Sequence, residues 1–119
     1  EIDIMEQLGQ ESSRNYGTLH WGANTAGHQS SSGNVVLASG YDKEFHVYSV
    51  IWMADRVQFL VDNVQYHEVL FSQVSGNNPF TLDQFFIFNV AVGGNWPGAP
   101  DGTTVFPQRM FVDYIRVYQ

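Results

Sequence analysis

Apolar and polar residues alternate with a period of two through most of this chain, and no segment shows the i, i+3, i+4 spacing of an amphipathic helix. Residues 1–8 read as a first strand and residues 16–21 as a second. The Ser/Gly/Asn-rich stretch 22–33 reads as an exposed, mobile loop, followed by a short strand over 34–38. The clearest meander is 45–70, where Phe45, Val47, Ile51 and Met53 alternate with the other face and Ala54-Asp55 turns the chain. Val57, Phe59 and Val61 then form an apolar face opposite Arg56 and Gln58. Asp62-Asn63 suits a two-residue hairpin turn, because both residues tolerate positive φ, and 64–70 returns. Residues 76–79 are a loop, 85–92 are apolar on both faces and predict a central strand, 93–108 form a long Gly/Pro loop, and 109–118 alternate again as a last strand. Many short strands separated by turn signals predict an all-β fold, an antiparallel β-sandwich.

The first strand contains a break that bears on chemistry. Ile2 and Ile4 share one face, and Glu1 and Asp3 share the other. Strict alternation would send Glu6 to the apolar side, where an unpaired carboxylate is costly. One extra residue, a β-bulge at Met5, returns Glu6 to the face of Glu1 and Asp3. Glu1 and Glu6 would then stand on the order of 13–16 Å apart at Cα, at roughly 3.3 Å per strand residue. Two side chains leaning together would bring the carboxyl groups to about 5–6 Å, near the spacing of a retaining glycosidase. The bland alternative for E-x-D-x-x-E is a solvated edge strand with acidic decoration.

Composition narrows the choice. With 119 residues, 44% of them hydrophobic and 14% charged, the chain is one domain at most, with a modest core. The net charge is −7, and Arg14, Lys43, Arg56, Arg109 and Arg116 form no basic patch, which argues against nucleic acid as a partner. Few cations also disfavour sulfated polysaccharides and favour a neutral glycan. No stretch approaches a transmembrane span, so no membrane partner is expected. The chain has no cysteine, hence no disulfide framework and no zinc–thiolate site.

Several blocks in order resemble glycoside hydrolase family 16, in its laminarinase-like branch. They are the strand Glu1-Ile2-Asp3-Ile4-Met5-Glu6, the run Tyr16-Gly17-Thr18-Leu19-His20-Trp21-Gly22, Phe45-His46-Val47-Tyr48 to Trp52, and Val61-Asp62. Asn89-Val90-Ala91-Val92-Gly93-Gly94-Asn95-Trp96-Pro97-Gly98 and the closing run from Phe106 to Tyr118 follow. The resemblance implies a jelly-roll (concanavalin A-like) sandwich whose concave sheet carries a substrate groove. It also implies that the chain is the C-terminal half of such a domain, so that a missing N-terminal half is its partner.

The resemblance further implies a retaining endo-β-1,3-glucanase that hydrolyses laminarin-type neutral glucans and is secreted or extracellular. Glu1 would be the nucleophile, Glu6 the general acid/base, and Asp3 the residue between them that orients Glu1. With Glu1 ionised, like-charge repulsion keeps a proton on Glu6 for the leaving oxygen; once Glu1 is glycosylated, Glu6 becomes the base for water. His20 would line the leaving-group side of the cleft, while Trp21, of opposite parity, packs in the core. Trp96 would offer its indole face to a sugar ring from the Gly/Pro loop, with Asn89 and Asn95 as weaker hydroxyl contacts. Asp113 would help hold a structural calcium, and no cofactor is implied for catalysis. His28, His46 and His67 show no ligand spacing and read as surface or groove residues. The competing readings are a non-catalytic β-glucan-binding module of the same fold, or a relative acting on mixed-linkage glucan or galactan.

Overall fold

Alternation along two strands builds the core. In β2 (Arg14–Trp21) Asn15, Gly17, Leu19 and Trp21 are buried on the inner face, with Thr18 buried on the other, and in β5 (Arg56–Val61) Val57, Phe59 and Val61 are buried with a period of two. The structure, a computed structural model, describes all 119 residues. The first unit, Glu1–Gln84, also holds β1 (Ile2–Glu6), β3 (Gln29–Val36), β4 (Tyr48–Trp52) and β6 (Val64–Leu70). The strands form two three-stranded antiparallel sheets, β1-β2-β3 and β4-β5-β6. β1 lies against β4 and β3 against β6, so β2 covers β5 and the sheets make a sandwich. Leu19, Trp21, Val57, Phe59, Val69, Val74 and Phe80 fill the space between them, with Ile2, Val50, Tyr66 and Phe71 at its margin.

The stretch expected to be a mobile loop over 22–33 is loop only as far as His28. Gln29–Val36 pairs with all eight residues of β2 in unbroken register. Its serines and glycine conceal a strand because they serve the two faces differently. Ser30, Ser32 and Asn34 face outward beside His20, Thr18 and Tyr16, while Gly33 lies opposite Gly17 on the inner side. Both glycines stand where the other sheet comes closest. A Cβ on Gly17 would meet the Tyr66 hydroxyl and lie 2.6 Å from the Phe59 ring, and one on Gly33 would lie 2.5 Å from Cβ of His67. The glycines thus mark close backbone approach.

The meander follows the expected course with one correction: residues 45–47 precede the strand. They are held by the turn residue Asp62, whose carboxylate accepts from Val47 N at 2.9 Å and contacts His46 Nδ1 at 2.7 Å. Asp62 and Asn63 adopt φ of 50° and 67°, the positive values that a two-residue hairpin turn demands.

The second unit, Phe85–Gln119, departs from expectation. Neither 85–92 nor 109–118 forms a strand, and the unit's backbone pairing is a single bridge, Gly94↔Gly98. The two segments share a shallow apolar hollow of about 450 Å³ lined by Phe88, Asn89, Val90, Met110, Val112 and Ile115, without exchanging ladder hydrogen bonds. Their side-chain pattern is that of buried strands, but a strand exists only where a neighbour accepts its N–H and C=O groups.

Gly17→Ala is expected to lower stability by about 1–3 kcal/mol through overpacking. A thermal unfolding curve checks this, with Gly9→Ala, where an added Cβ meets nothing within 4 Å, expected to match the parent.

Candidate active site

The bulge expected in β1 is present. Asp3 pairs with Thr18 and Glu6 with Tyr16, so three steps along β1 match two along β2. One surplus residue therefore lies in Ile4-Met5, and Glu6 returns to the side of Asp3. The Thr18 hydroxyl, opposite Asp3 in the ladder, donates to Glu6 Oε2 at 3.0 Å. The same hydroxyl lies 3.0 Å from the Ser32 hydroxyl on β3. Glu1 is tied to His20 by a reciprocal pair of backbone hydrogen bonds of 3.0 Å each. His20 Nε2 lies 3.2 Å from Asp3 Oδ2. Alternation, the bulge and the register thus bring Glu1, Asp3, Glu6 and His20 to one polar sheet face.

Asp3 is the electrostatic centre of this group. Burial pushes its pKa up from the ordinary 3.8 to about 7, aided by the charges of Glu6 and then Glu1 and by a hydrogen bond with Glu1. A carboxyl group half-protonated near neutrality can donate to the Glu1 carboxylate and hold it in place. Donor atoms of Asp3, Glu6 and His20 gather within 4.8 Å, a spacing that would also admit a cation. His20 Nε2 already faces Asp3 at 3.2 Å and Glu6 takes the Thr18 hydroxyl, so each of the three side chains has a partner within the chain.

Beside Glu6 the open face is braced by charge. Arg14 Nε donates to Glu11 Oε1 at 2.8 Å, and the Tyr16 hydroxyl donates to Glu11 Oε2 at 2.7 Å. These bonds, Tyr16 first and then Arg14, hold the Glu11 carboxyl below its usual range. Arg14 Nη1 reaches Asn34 Oδ1 at 2.5 Å, tying the start of β2 to β3.

Trp21 is buried, as its parity requires, yet it also lines a cleft of about 470 Å³ with Glu1, His20, Gln29, Ser75 and Asn77. Its indole N–H has no hydrogen-bond partner. Sequence reasoning missed this residue as a possible ligand contact. The available signal was its place as the last residue of β2, where a core ring meets the rim. Thr18 and Ser32 were also missed, because hydroxyls on a sheet face carry no motif.

Trp96, Asn89, Asn95 and Asp113 belong to the second unit. Trp96 is half exposed within the turn closed by Gly94 and Gly98, Asn89 lines the apolar hollow, Asn95 is exposed, and Asp113 is exposed in the 109–118 segment. No group of three acidic or histidine side chains gathers around Asp113, so the side chains present fall short of the six or more oxygens that calcium takes.

The sequence profile of glycosyl hydrolases family 16 matches residues 1–116. The chain belongs to this family. As a family 16 chain it is 36% identical to the clotting factor G alpha subunit of Tachypleus tridentatus and 36% identical to the glucan endo-1,3-beta-glucosidase A1 of Niallia circulans, in each case over its whole length. It spans only 17% and 19% of those two proteins. Among solved structures it resembles the endo-beta-1,3-glucanase of Pyrococcus furiosus, with a TM-score of 0.68 and 36% identity over 89% of this chain and 42% of that one. The sandwich of the first unit is therefore of the family's jelly-roll type.

Asp3 gives a pH signature. Its folded-state pKa of about 7 exceeds the ordinary 3.8, so the folded chain keeps a proton that the unfolded chain releases. The stability contributed at this position is present below the unfolded value and is lost as pH rises towards 7. Asp3→Asn removes the titration. Urea unfolding is expected to show the variant gaining stability relative to the parent between pH 4 and pH 8, the difference running in that direction only.

Proposed function

We propose that this chain carries the catalytic strand of a retaining endo-β-1,3-glucanase acting on laminarin-type neutral glucans. The observation that supports it most is the bulge between Asp3 and Glu6, which sets two carboxyl groups on the face of the Thr18 hydroxyl with Glu1 at the strand's head. Glu1 attacks the anomeric carbon while Glu6 gives its proton to the departing glycosidic oxygen, and the C–O bond breaks as the Glu1–sugar ester forms. Water then attacks the same carbon, Glu6 takes the water's proton, and Glu1 leaves as a carboxylate. Asp3 holds Glu1 by the hydrogen bond they share. His20 sits beside Asp3 at the rim of the cleft, where it can meet the leaving sugar.

A neutral substrate fits the charge of the chain. Among the cations of the first unit, Arg14 and Arg56 are engaged by Glu11 and by Asp55 and Glu68, and Lys43 by Asp42. Arg14, on the open face beside Glu6, is already neutralised by Glu11 and tied to Asn34. The relatives extend far beyond the matched region, and we assign the remaining sheet partners to a preceding half of the same domain. The apolar segments 85–92 and 109–118, with unpaired backbone edges, are the surfaces such a half would cover. Trp96, Asn89 and Asn95 are assigned to sugar contact from this unit, and a secreted location follows from a polymeric substrate. Calcium at Asp113 would need oxygens from elsewhere in the domain.

In the complete protein, Glu6→Gln is expected to lower turnover of laminarin by about 10²–10⁴-fold, the usual worth of a general acid. Cleavage of an aryl glycoside with a good leaving group should be spared in its first step. NMR of the first-formed product should show the β-anomer; an initial α-anomer would end the retaining assignment. Absence of new reducing ends from the parent protein, with laminarin still bound, would favour the binding-module reading.

A further inference from the structure

His28 stands outside the catalytic roles described so far. It closes the 22–28 turn, where Gly22 has φ 115° and the Asn24 side chain accepts from Gly27 N at 3.0 Å. The ladder resumes at Trp21↔Gln29, so His28 lies across from Gly22 and diagonally from His20 on the same outward face. A side chain on Gly22 would strike the Gly27 carbonyl, which leaves the turn tight enough to fold His28 back over the strand. The two imidazole planes lie 28° from parallel with centroids 5.0 Å apart, the spacing of rings that meet edge to edge. His28 Nε2 lies 2.9 Å from His20 Nδ1. The other nitrogen of His20 faces Asp3 at 3.2 Å.

We propose that His28 is a positioning residue, which fixes the ring plane and tautomer of His20 so that His20 keeps its Nε2 hydrogen on the Asp3 carboxylate. The proposal rests on the glycosidase reading for its effect on turnover, but the geometry stands without it. A neutral imidazole carries one hydrogen. When His28 Nε2–H donates to His20 Nδ1, the His20 hydrogen must sit on Nε2, opposite Asp3. A ring held only by Asp3 could flip about its χ2 bond and exchange its edges. The N–H···N bond, lying near the plane of both rings, restrains the tilt of His20 and fixes which edge faces the acids.

The charges that face His20 are few. β1 supplies Glu1, Asp3 and Glu6; the turn supplies His28; β3 places Ser30 opposite and has no ionisable residue. A hydrogen bond to a carboxylate favours its charged form. Losing the clamp is therefore expected to loosen the His20–Asp3 contact and to move the titration of Asp3 to higher pH. A limb of the rate profile governed by Asp3 shifts upward whether the ionised or the protonated form is required.

The test uses the complete protein with laminarin. His28→Phe keeps an aromatic ring and removes the nitrogen; His28→Gln keeps an N–H donor. In His28→Phe the limb is expected to move up by roughly 0.5–1 pH unit, the equivalent of one hydrogen bond, with kcat lowered and KM little changed. His28→Gln should restore the parent profile. Nitrogen-15 NMR of the imidazoles should show His20 as the Nε2–H tautomer in the parent and in His28→Gln, and a mixture in His28→Phe. A His28→Phe profile superimposed on the parent's, or a parent His20 in the Nδ1–H form, overturns the proposal. A parent protein inert towards laminarin defeats the glycosidase reading alone, and the imidazole spectra then decide the clamp.

Discussion

A surplus residue in β1 is the constraint on which the site depends. Without it Glu6 would face Leu19 and Phe59 between the sheets, a charged group in an apolar layer. With it Glu6 lies on the Thr18 hydroxyl, and the strand still buries Ile2 at the core margin. The bulge is held by ladder bonds on both sides, Asp3 to Thr18 before it and Glu6 to Tyr16 after it. The register of β1 and β2 therefore places the carboxyl groups, and the packing of β2 on β5 makes that register rigid.

That packing has its own requirement, which is closeness. Gly17 and Gly33 remove two side chains where Phe59, Tyr66 and His67 approach from the other sheet. Bringing the sheets together here buries Leu19, Val57 and Phe59 completely and fixes β2 from beneath. β2 is the central strand of its sheet, so it transmits this rigidity to β1 on one side and β3 on the other. The polar face above is then a network with assigned partners: Thr18 joins Glu6 to Ser32, Glu11 joins Arg14 to Tyr16, and His20 joins Asp3 to His28. Burial raises Asp3 to about 7, and the crowding of Glu6 and Glu1 on the same face adds to it.

The two units show what strands need besides pattern. β5 alternates and is flanked by β4 and β6, so its backbone and its apolar face are both satisfied. The segment 85–92 has more apolar residues than β5 but no flanking ladder, and Phe85 is left 82% exposed. Hydrophobic content records that a segment is meant to be covered; it does not supply the cover.

Much was legible in the chain itself. The period-two runs of β2 and β5 and the positive-φ turn at Asp62-Asn63 depend on local sterics and on which side chains leave water, and both are properties of consecutive residues. The break at Met5 was legible for the same reason, since a carboxylate out of phase has few places to go. β3 was hidden, because its Ser, Gly and Asn residues have low strand preference and acquire it only from partners on β2. The His20–His28 contact, the shared Thr18 hydroxyl and the unpaired Trp21 indole were hidden as well. Each depends on how residues distant in sequence are registered across strands, and register is set by the whole sandwich rather than by any one segment.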